Sequence, residues 1–261
     1  MSELDVRYSR TGSGEPLVLI HGIGHRRQAW DPVVPILAEH RDVIAVDLPG
    51  FGESPALPAG MSYDMETTLD NFAKVFAELG LDRPHVAGNS LGGAIALELG
   101  ARDLVASVTA LSPAGFWTTA ERSYAVALLT STRVSAMVPD AALRRMSRMP
   151  RLRRRLLSPI FAHPERFTAE QVLDDARALR DGVAFRPTAA AGLRYHCRAV
   201  PTVPTTVGWG SRDHVLLARQ ADIARRRLPD ATHVSLPGCG HVPMIDDPEL
   251  VAAVLLQGST A

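Results

Sequence analysis

Six short apolar runs recur along the 261-residue chain, and stretches of helical composition lie between them. The runs cover residues 17–20, 43–46, 84–87, 104–111, 205–209 and 232–236, and the helical stretches cover 30–39, 63–79, 91–101, 216–227 and 248–256. Continuous apolar runs of this length are typical of strands buried on both faces. Their alternation with helices predicts an α/β fold with a mainly parallel, doubly wound sheet and right-handed crossovers. Residues 5–9 are a candidate for an antiparallel edge strand.

The alternation stops between about residue 113 and residue 198, where helical periodicity and prolines replace the strand signals. We therefore predict a core made of residues 1–113 and 199–261, with a helical cap inserted at 114–198. Residues 117–198 carry fifteen arginines and seven acidic residues, and the arginines are densest at 144–155. A solvated arginine face is the simplest interpretation of this cluster. Attraction of anionic substrates and contact with an acidic membrane surface are the alternatives.

The overall composition excludes several classes of protein. The 28 basic and 28 acidic residues balance, which argues against nucleic acid as the main partner. No apolar run reaches the roughly 18 residues of a membrane helix, so we expect no stable membrane insertion. The first residues lack the pattern of a signal peptide, and two cysteines are too few for a disulfide framework. These features predict a cytoplasmic protein, and the sequence carries no signal for an oligomeric state.

Residues 88–92 read Gly-Asn-Ser-Leu-Gly and lie between a predicted strand and a predicted helix. A G-x-S-x-G sequence in this setting is typical of a nucleophile elbow, a sharp turn that presents the serine hydroxyl. The glycines remove side chains that would clash with the strained backbone. The N-terminus of the following helix favours negative charge beside Ser90. The pattern therefore predicts hydrolytic chemistry at this serine.

A serine hydroxyl needs a base to take its proton, and the base needs an acid to orient it. His241 follows the last predicted strand in a glycine-rich loop, and Asp213 follows the fifth. Both loops project from the sheet edge that carries Ser90, in the chain order serine, acid, histidine. Asp47 also ends a strand and is the main rival acid. Because it leads into the turn at 48–52, we expect it to accept backbone N–H bonds there.

The oxyanion formed during attack needs N–H donors that are already in place. The N–H of Leu91, directly after the predicted nucleophile, is one candidate. Ile23, in the loop after the first strong strand, is our choice for the second. We expect the side chain of His21 to shape this loop and not to act as a base.

Five motifs, spread over almost the whole chain, resemble those of capped α/β-hydrolases. They are His21-Gly22-Ile23-Gly24, Asp47-Leu48-Pro49-Gly50-Phe51-Gly52-Glu53-Ser54, Gly88-Asn89-Ser90-Leu91-Gly92-Gly93, Trp209-Gly210-Ser211-Arg212-Asp213 and Gly240-His241-Val242-Pro243. The resemblance implies a triad of Ser90, Asp213 and His241, with Ile23 and Leu91 as oxyanion donors. It also implies a helical lid. This chemistry requires no metal and no organic cofactor.

We predict a serine hydrolase that cleaves a small or medium, apolar carboxylic ester or lactone through an acyl-enzyme. Candidate substrate-binding residues are His25, Phe116, Trp117, Phe161, Phe185 and Val242. Related haloalkane dehalogenases and epoxide hydrolases carry aspartate where this chain has Ser90, which disfavours those activities. Carbon–carbon bond hydrolases of the meta-cleavage type resemble the chain at residues 88–90. They usually place an aromatic residue at the position of Val242.

Other functions compete with ester hydrolysis. A non-catalytic ligand-binding protein would use the same fold. A cofactor-free perhydrolase or an acyltransferase would use the same residues. A dinucleotide-binding oxidoreductase is disfavoured because Arg27 replaces the third glycine of the G-x-G-x-x-G pattern. A metal site at His21 and His25 is disfavoured because no third ligand follows nearby.

Overall fold

The computed structural model describes residues 5–260, and its centre is a single seven-stranded sheet. The strands are β1 (Tyr8–Gly12), β2 (Pro16–Ile20), β3 (Asp42–Val46), β4 (His85–Asn89), β5 (Ser107–Leu111), β6 (Thr205–Gly210) and β7 (Thr232–Leu236). Their order is β1-β3-β2-β4-β5-β6-β7. Only β1 runs antiparallel, pairing with β3, and all other neighbours are parallel. The predicted α/β class with a mainly parallel, doubly wound sheet is confirmed.

Helices connect the strands and flank the sheet. They are α1 (Val34–Leu37), α2 (Met65–Glu78), α3 (Leu91–Ala101), α4 (Thr119–Ser135), α5 (Asp140–Ser147), α6 (Pro150–Leu157), α7 (Ala169–Asp181), α8 (Phe185–Gly192), α9 (Gln220–Arg227), α10 (Pro243–Asp246) and α11 (Pro248–Gly258). Two short 3₁₀ turns cover Arg27–Trp30 and Pro164–Arg166. The helix predicted at 30–39 is interrupted, because Pro32 and Pro35 have no N–H to donate. None of the helices within residues 5–260 is long and apolar enough to cross a bilayer.

Five helices, α4 to α8, lie between β5 and β6, in the segment predicted to be a cap. Residues 114–198, all of them described, contain no strand. Capping boxes begin α4 and α7. The hydroxyl of Thr118 accepts the N–H of Glu121, whose side chain accepts the N–H of Thr118 in return, and Thr168 and Gln171 make the same pair of bonds. The division into a core and a cap at residues 114 and 198 stays a prediction.

Five of the seven arginines at 144–155 are exposed, and Arg144 and Arg153 are half-buried. Exposed arginines are Arg145, Arg148, Arg151, Arg154 and Arg155, on α5, α6 and the turn between them. On α6 the exposed arginines stand three and four residues apart and so share one helix face. This placement fits the solvated face that the sequence analysis favoured.

Alternate residues of the central strands enter two apolar clusters. Val18 and Ile44 belong to the cluster that includes α2 and α3, whereas Leu17 and Val43 belong to the cluster that includes α1 and α11. The central strands are therefore buried on both faces, as their continuous apolar runs predict. Because its central strands are parallel, their carboxyl ends meet at one edge, where ligands bind in open α/β sheets.

Candidate active site

Ser90 lies at the turn between β4 and α3 in a strained backbone conformation. Its φ angle is +58°, which is unusual for any residue other than glycine. The Ser90 N–H donates to the carbonyl of Leu111 at 2.9 Å, and the Ser90 carbonyl accepts from Ala94 and Ala114, both at 3.0 Å. The surrounding structure thus holds the strain in place. The serine is 6% exposed and lines a cavity.

The two glycines that flank Ser90 permit backbone contacts that no side chain would allow. A Cβ atom added to Gly88 would lie 2.1 Å from the carbonyl oxygen of Gly92. A Cβ atom added to Gly92 would lie 2.1 Å from the carbonyl oxygen of Ile20. The start of α3 therefore packs directly against the backbone of β2 and β4, which fixes the position of the serine between them.

Asp213 and His241 form a buried pair at the same edge. The Nδ1 atom of His241 lies 2.9 Å from Oδ2 of Asp213, and neither side chain is more than slightly exposed. The other carboxylate oxygen accepts the N–H groups of Val215 at 2.9 Å and Leu216 at 2.8 Å. Because the Asp213 carboxylate can only accept a hydrogen bond, Nδ1 of His241 carries the ring proton. Nε2 of His241 is then free to act as a base.

Asn89, the residue before Ser90, connects the turn to the histidine loop. Its Nδ2 atom donates to the carbonyl of His241 at 2.9 Å and to that of Leu111 at 3.2 Å. The structure therefore brings all three predicted catalytic residues to one place. Among the described residues, no hydrogen bond joins the Ser90 hydroxyl to the imidazole. Such contacts often tighten only when substrate is bound, so the proton transfer itself stays a prediction.

Asp47, the rival acid, is fully buried and committed to other partners. Its carboxylate accepts the backbone N–H of Arg27 at 2.6 Å and that of Glu53 at 2.9 Å, and it pairs with the guanidinium of Arg27. Asp47 therefore accepts backbone N–H bonds, as expected, but their donors are Glu53, directly after the turn at 48–52, and Arg27 in a separate loop. These bonds leave Asp213 as the acid that contacts His241.

The predicted oxyanion donors, Ile23 and Leu91, both line the cavity together with Ser90. A Cβ atom added to Gly22 would lie 3.2 Å from Cβ of Ser90, so the loop that carries Ile23 passes beside the serine. Leu91 is the first residue of α3, and its N–H therefore has no acceptor within the helix. Both N–H groups belong to segments that adjoin the nucleophile, which is the placement an oxyanion hole requires.

His21 shapes the loop that carries Ile23, as the sequence analysis expected. Its Nδ1–H donates to the carbonyl of Gly22 at 2.7 Å, and its Nε2 accepts the N–H of Leu48 at 3.0 Å. Burial lowers the pKa of His21 to about 4. Both nitrogens are occupied, so this imidazole is not available as a base. No group of three His, Cys, Asp or Glu side chains within residues 5–260 converges as metal ligands.

The burial of His21 predicts a loss of stability in acid. Below its ordinary pKa of 6.5, the unfolded chain takes up a proton that the folded protein does not accept until about pH 4. The free energy of unfolding should therefore fall as the pH drops from 6.5 to 4, by at most about 1.4 kcal/mol per pH unit from this group. Urea unfolding across this range tests the expectation. An equally steep pH dependence in His21→Gln would contradict it.

A cavity of about 670 Å³ opens beside Ser90, Ile23 and Leu91. Two of the six predicted substrate-binding residues, Trp117 and Phe185, line it. Much of the remaining wall comes from the segment before α2 and from α2 itself, including Leu57, Met61, Tyr63, Met65 and Phe72. None of these residues is among the six predicted substrate-binding residues. The available signal was Met61, which follows Gly60, and Met65, the first residue of α2.

The other four predicted binding residues do not line this cavity. Phe116 packs edge-on against Trp209, with ring centroids 6.5 Å apart, and Phe161 packs against Phe167 at 4.5 Å. Val242 is buried in the cluster that includes α11. The Nδ1 atom of His25 accepts the N–H of Arg26 at 3.1 Å. The three apolar residues therefore serve the interior of the protein, and His25 belongs to its own loop.

Comparison with known proteins agrees with the fold. An acetyltransferase component of the acetoin cleaving system of Pseudomonas putida is 30% identical over 93% of this chain, which spans 63% of that protein's length. A 2-hydroxy-6-oxo-2,4-heptadienoate hydrolase of P. putida F1 is 42% identical over 94 residues, 35% of this chain and 34% of that protein. The crystal structure of a membrane phospholipase A is 30% identical, with a TM-score of 0.74, and the alignment covers 99% of this chain and 85% of that one.

A family model extends this similarity over nearly the whole chain. Residues 17–254 match it, a range that begins in β2 and ends in α11. The matched range contains the serine turn, the Asp213–His241 pair and the inserted helices. The chain belongs to the alpha/beta hydrolase family.

Proposed function

We propose that this protein is a serine hydrolase that cleaves a small or medium, apolar carboxylic ester or lactone through an acyl-enzyme. The observation that carries the proposal is the buried pair of His241 and Asp213, tied through Asn89 to the turn that presents Ser90. A binding protein has no need of a strained serine beside an oriented imidazole. The similar phospholipase A supports ester chemistry.

In the proposed mechanism, Nε2 of His241 takes the proton of Ser90 while the serine oxygen attacks the carbonyl carbon. The N–H groups of Ile23 and Leu91 donate to the oxyanion that forms. Asp213 holds the imidazole in the required tautomer and stabilises its charged form. His241 then protonates the leaving group, and it activates the water that hydrolyses the acyl-enzyme.

The inserted segment supports the assignment of an apolar substrate. Its helix α4 contributes Ala125 and Leu129 to the cavity wall, and Phe185 contributes from α8. Another part of the wall comes from α2 and the segment before it. Because the insertion and the remainder of the chain enclose the cavity together, we propose that residues 114–198 act as a cap that sets specificity.

Filling the cavity from α4 should shorten the preferred acyl chain. Ala125→Leu adds methyl groups at a position that lines the cavity, so we expect kcat/KM for long-chain p-nitrophenyl esters to fall about tenfold relative to acetate. Ala127→Leu, at an exposed position on the same helix, is the matched control. Equal chain-length profiles for the two variants would show that acyl groups do not occupy this cavity.

Carbon–carbon bond hydrolysis of the meta-cleavage type is the second candidate. The similarity to the heptadienoate hydrolase supports it, and so does the Gly88-Asn89-Ser90 sequence. A panel of p-nitrophenyl esters, assayed beside a vinylogous diketone, separates the two candidates. Ester turnover without diketone cleavage is the expected result. Analysis of the products with an added alcohol or with peroxide distinguishes hydrolysis from acyl transfer and perhydrolysis.

A further inference from the structure

We propose that Asp246 positions the catalytic base, by holding the loop of His241 against the inserted helical segment. This inference rests on the proposed function, because it assumes that His241 is the catalytic base. Asp246 itself is a positioning residue and does not line the cavity. Asp246 is the last residue of α10 and lies five positions after His241. Its local sequence gives no indication of a role in the active site.

The carboxylate of Asp246 connects two separate segments of the chain. Oδ2 accepts the N–H groups of Gly240 at 2.7 Å and Ala162 at 3.1 Å, and Oδ1 accepts that of His163 at 2.9 Å. Arg166 donates to the main-chain carbonyl of Asp246. The residue is 1% exposed. Three N–H groups therefore depend on one carboxylate that water scarcely reaches.

The main chain of His241 is bound to the same inserted segment. Its N–H donates to the carbonyl of Ile160 at 2.8 Å, while its carbonyl accepts from Asn89. A Cβ atom on Gly240 would lie 2.8 Å from both the carbonyl oxygen of Ile160 and the nitrogen of Ala162. The insertion therefore packs directly on the backbone beside the base.

The other side of the histidine loop contacts the loop of Asp213. The N–H of Arg212 donates to the carbonyl of Cys239 at 2.8 Å, and the N–H of Gly238 donates to the hydroxyl of Ser211 at 2.9 Å. The histidine loop thus lies between the acid loop and the inserted segment. Without Asp246, the histidine loop would keep its contacts on the acid side, the bond from Asn89 and the bond to Ile160, but it would lose the three bonds that join its two ends to residues 162 and 163 and to each other.

Loss of the carboxylate should affect turnover more than binding. A displacement of a catalytic group by about 1 Å can cost about 100-fold in rate, although the groups that bind substrate are unchanged. Asp246 is not among the residues that line the cavity. We therefore expect a lower kcat at nearly constant KM, which a general loss of stability would not produce well below the melting temperature.

The neighbouring Asp247 provides a matched control. Its carboxylate accepts the N–H of Leu250 at 3.1 Å and caps α11, so it stabilises a helix without contacting the histidine loop. Asp246→Ala and Asp247→Ala remove the same group from adjacent positions. Asp246→Asn keeps one acceptor oxygen and provides a milder variant if alanine does not fold.

The test measures kcat and KM for a p-nitrophenyl ester and the rate of fluorophosphonate labelling. Each variant is assayed at the same number of degrees below its own melting temperature. We expect Asp246→Ala to lower kcat and the labelling rate about 100-fold, Asp246→Asn about tenfold, and Asp247→Ala less than threefold. Wild-type kcat in a folded Asp246 variant would overturn the inference and leave the proposed function intact. A wild-type protein that neither hydrolyses esters nor labels at Ser90 would overturn both.

Discussion

Replacing Ser90 by alanine is expected to lower kcat for ester hydrolysis by about 10⁶, with little change in KM or in the melting temperature. Loss of the serine nucleophile has an effect of this size in other serine hydrolases, because no neighbouring group can form the acyl-enzyme. The hydroxyl of Ser90 makes no hydrogen bond to another described residue, so its removal should cost little stability. Initial rates with p-nitrophenyl acetate, together with thermal unfolding, measure both quantities.

Ser112 offers a matched control for this substitution. It is a buried serine with a φ angle of +42°, it directly follows β5, and its hydroxyl has no hydrogen-bond partner among the described residues. Ser112→Ala therefore makes the same change at a similar backbone position on the neighbouring strand. We expect it to keep wild-type turnover. Substantial esterase activity in pure, folded Ser90→Ala would contradict the proposed mechanism.

Replacing Asp213 by asparagine should lower kcat by about 10⁴. The N–H groups of Val215 and Leu216 require an acceptor, so the amide oxygen of the asparagine should face them. The NH₂ group of the asparagine then faces Nδ1 of His241. The imidazole would then carry its proton on Nε2 and could not accept the proton of Ser90. The pH profile of kcat/KM, compared with that of the wild type, measures the effect.

Asp47→Asn separates the two candidate acids. Asp47 pairs with Arg27 in a buried site, and breaking such a pair typically costs about 3–5 kcal/mol of stability. We expect this variant to unfold more easily but to retain kcat within about tenfold of the wild type where it is folded. The opposite pattern, with activity lost in Asp47→Asn and kept in Asp213→Asn, would identify Asp47 as the catalytic acid.

The centre of the sheet was predictable because its strands are buried on both faces and so appear as continuous apolar runs. The serine turn was predictable because its glycines are needed for local backbone contacts. Gly88 contacts the backbone of Gly92, four residues later, and Gly92 contacts the backbone of Ile20 on the adjacent strand. The helix expected at 30–39 is reduced to α1, because Pro35 has no N–H to donate to the preceding turn and lies instead at the start of that helix. The edge strand was placed at residues 5–9, but it begins at Tyr8 and extends to Gly12.

The cavity wall was less predictable than the triad. Aromatic residues such as Phe116 and Phe161 look the same in the sequence whether they fill the interior or line a cavity. Only the tertiary packing distinguishes these two roles. Contacts of Asp246 with Ala162 and His163 join positions 84 and 83 residues apart. In the sequence, this aspartate resembles a helix cap, a role that its neighbour Asp247 in fact performs.

The most direct test of the account is the site at which a fluorophosphonate reacts. The wild-type protein should gain one adduct, mapped by peptide mass spectrometry to Ser90, with loss of esterase activity in proportion to labelling. His241→Ala should label far more slowly while remaining folded. Full loss of activity with Ser90 unmodified, or complete labelling of Ser90 with activity retained, would contradict the assignment of this serine as the nucleophile.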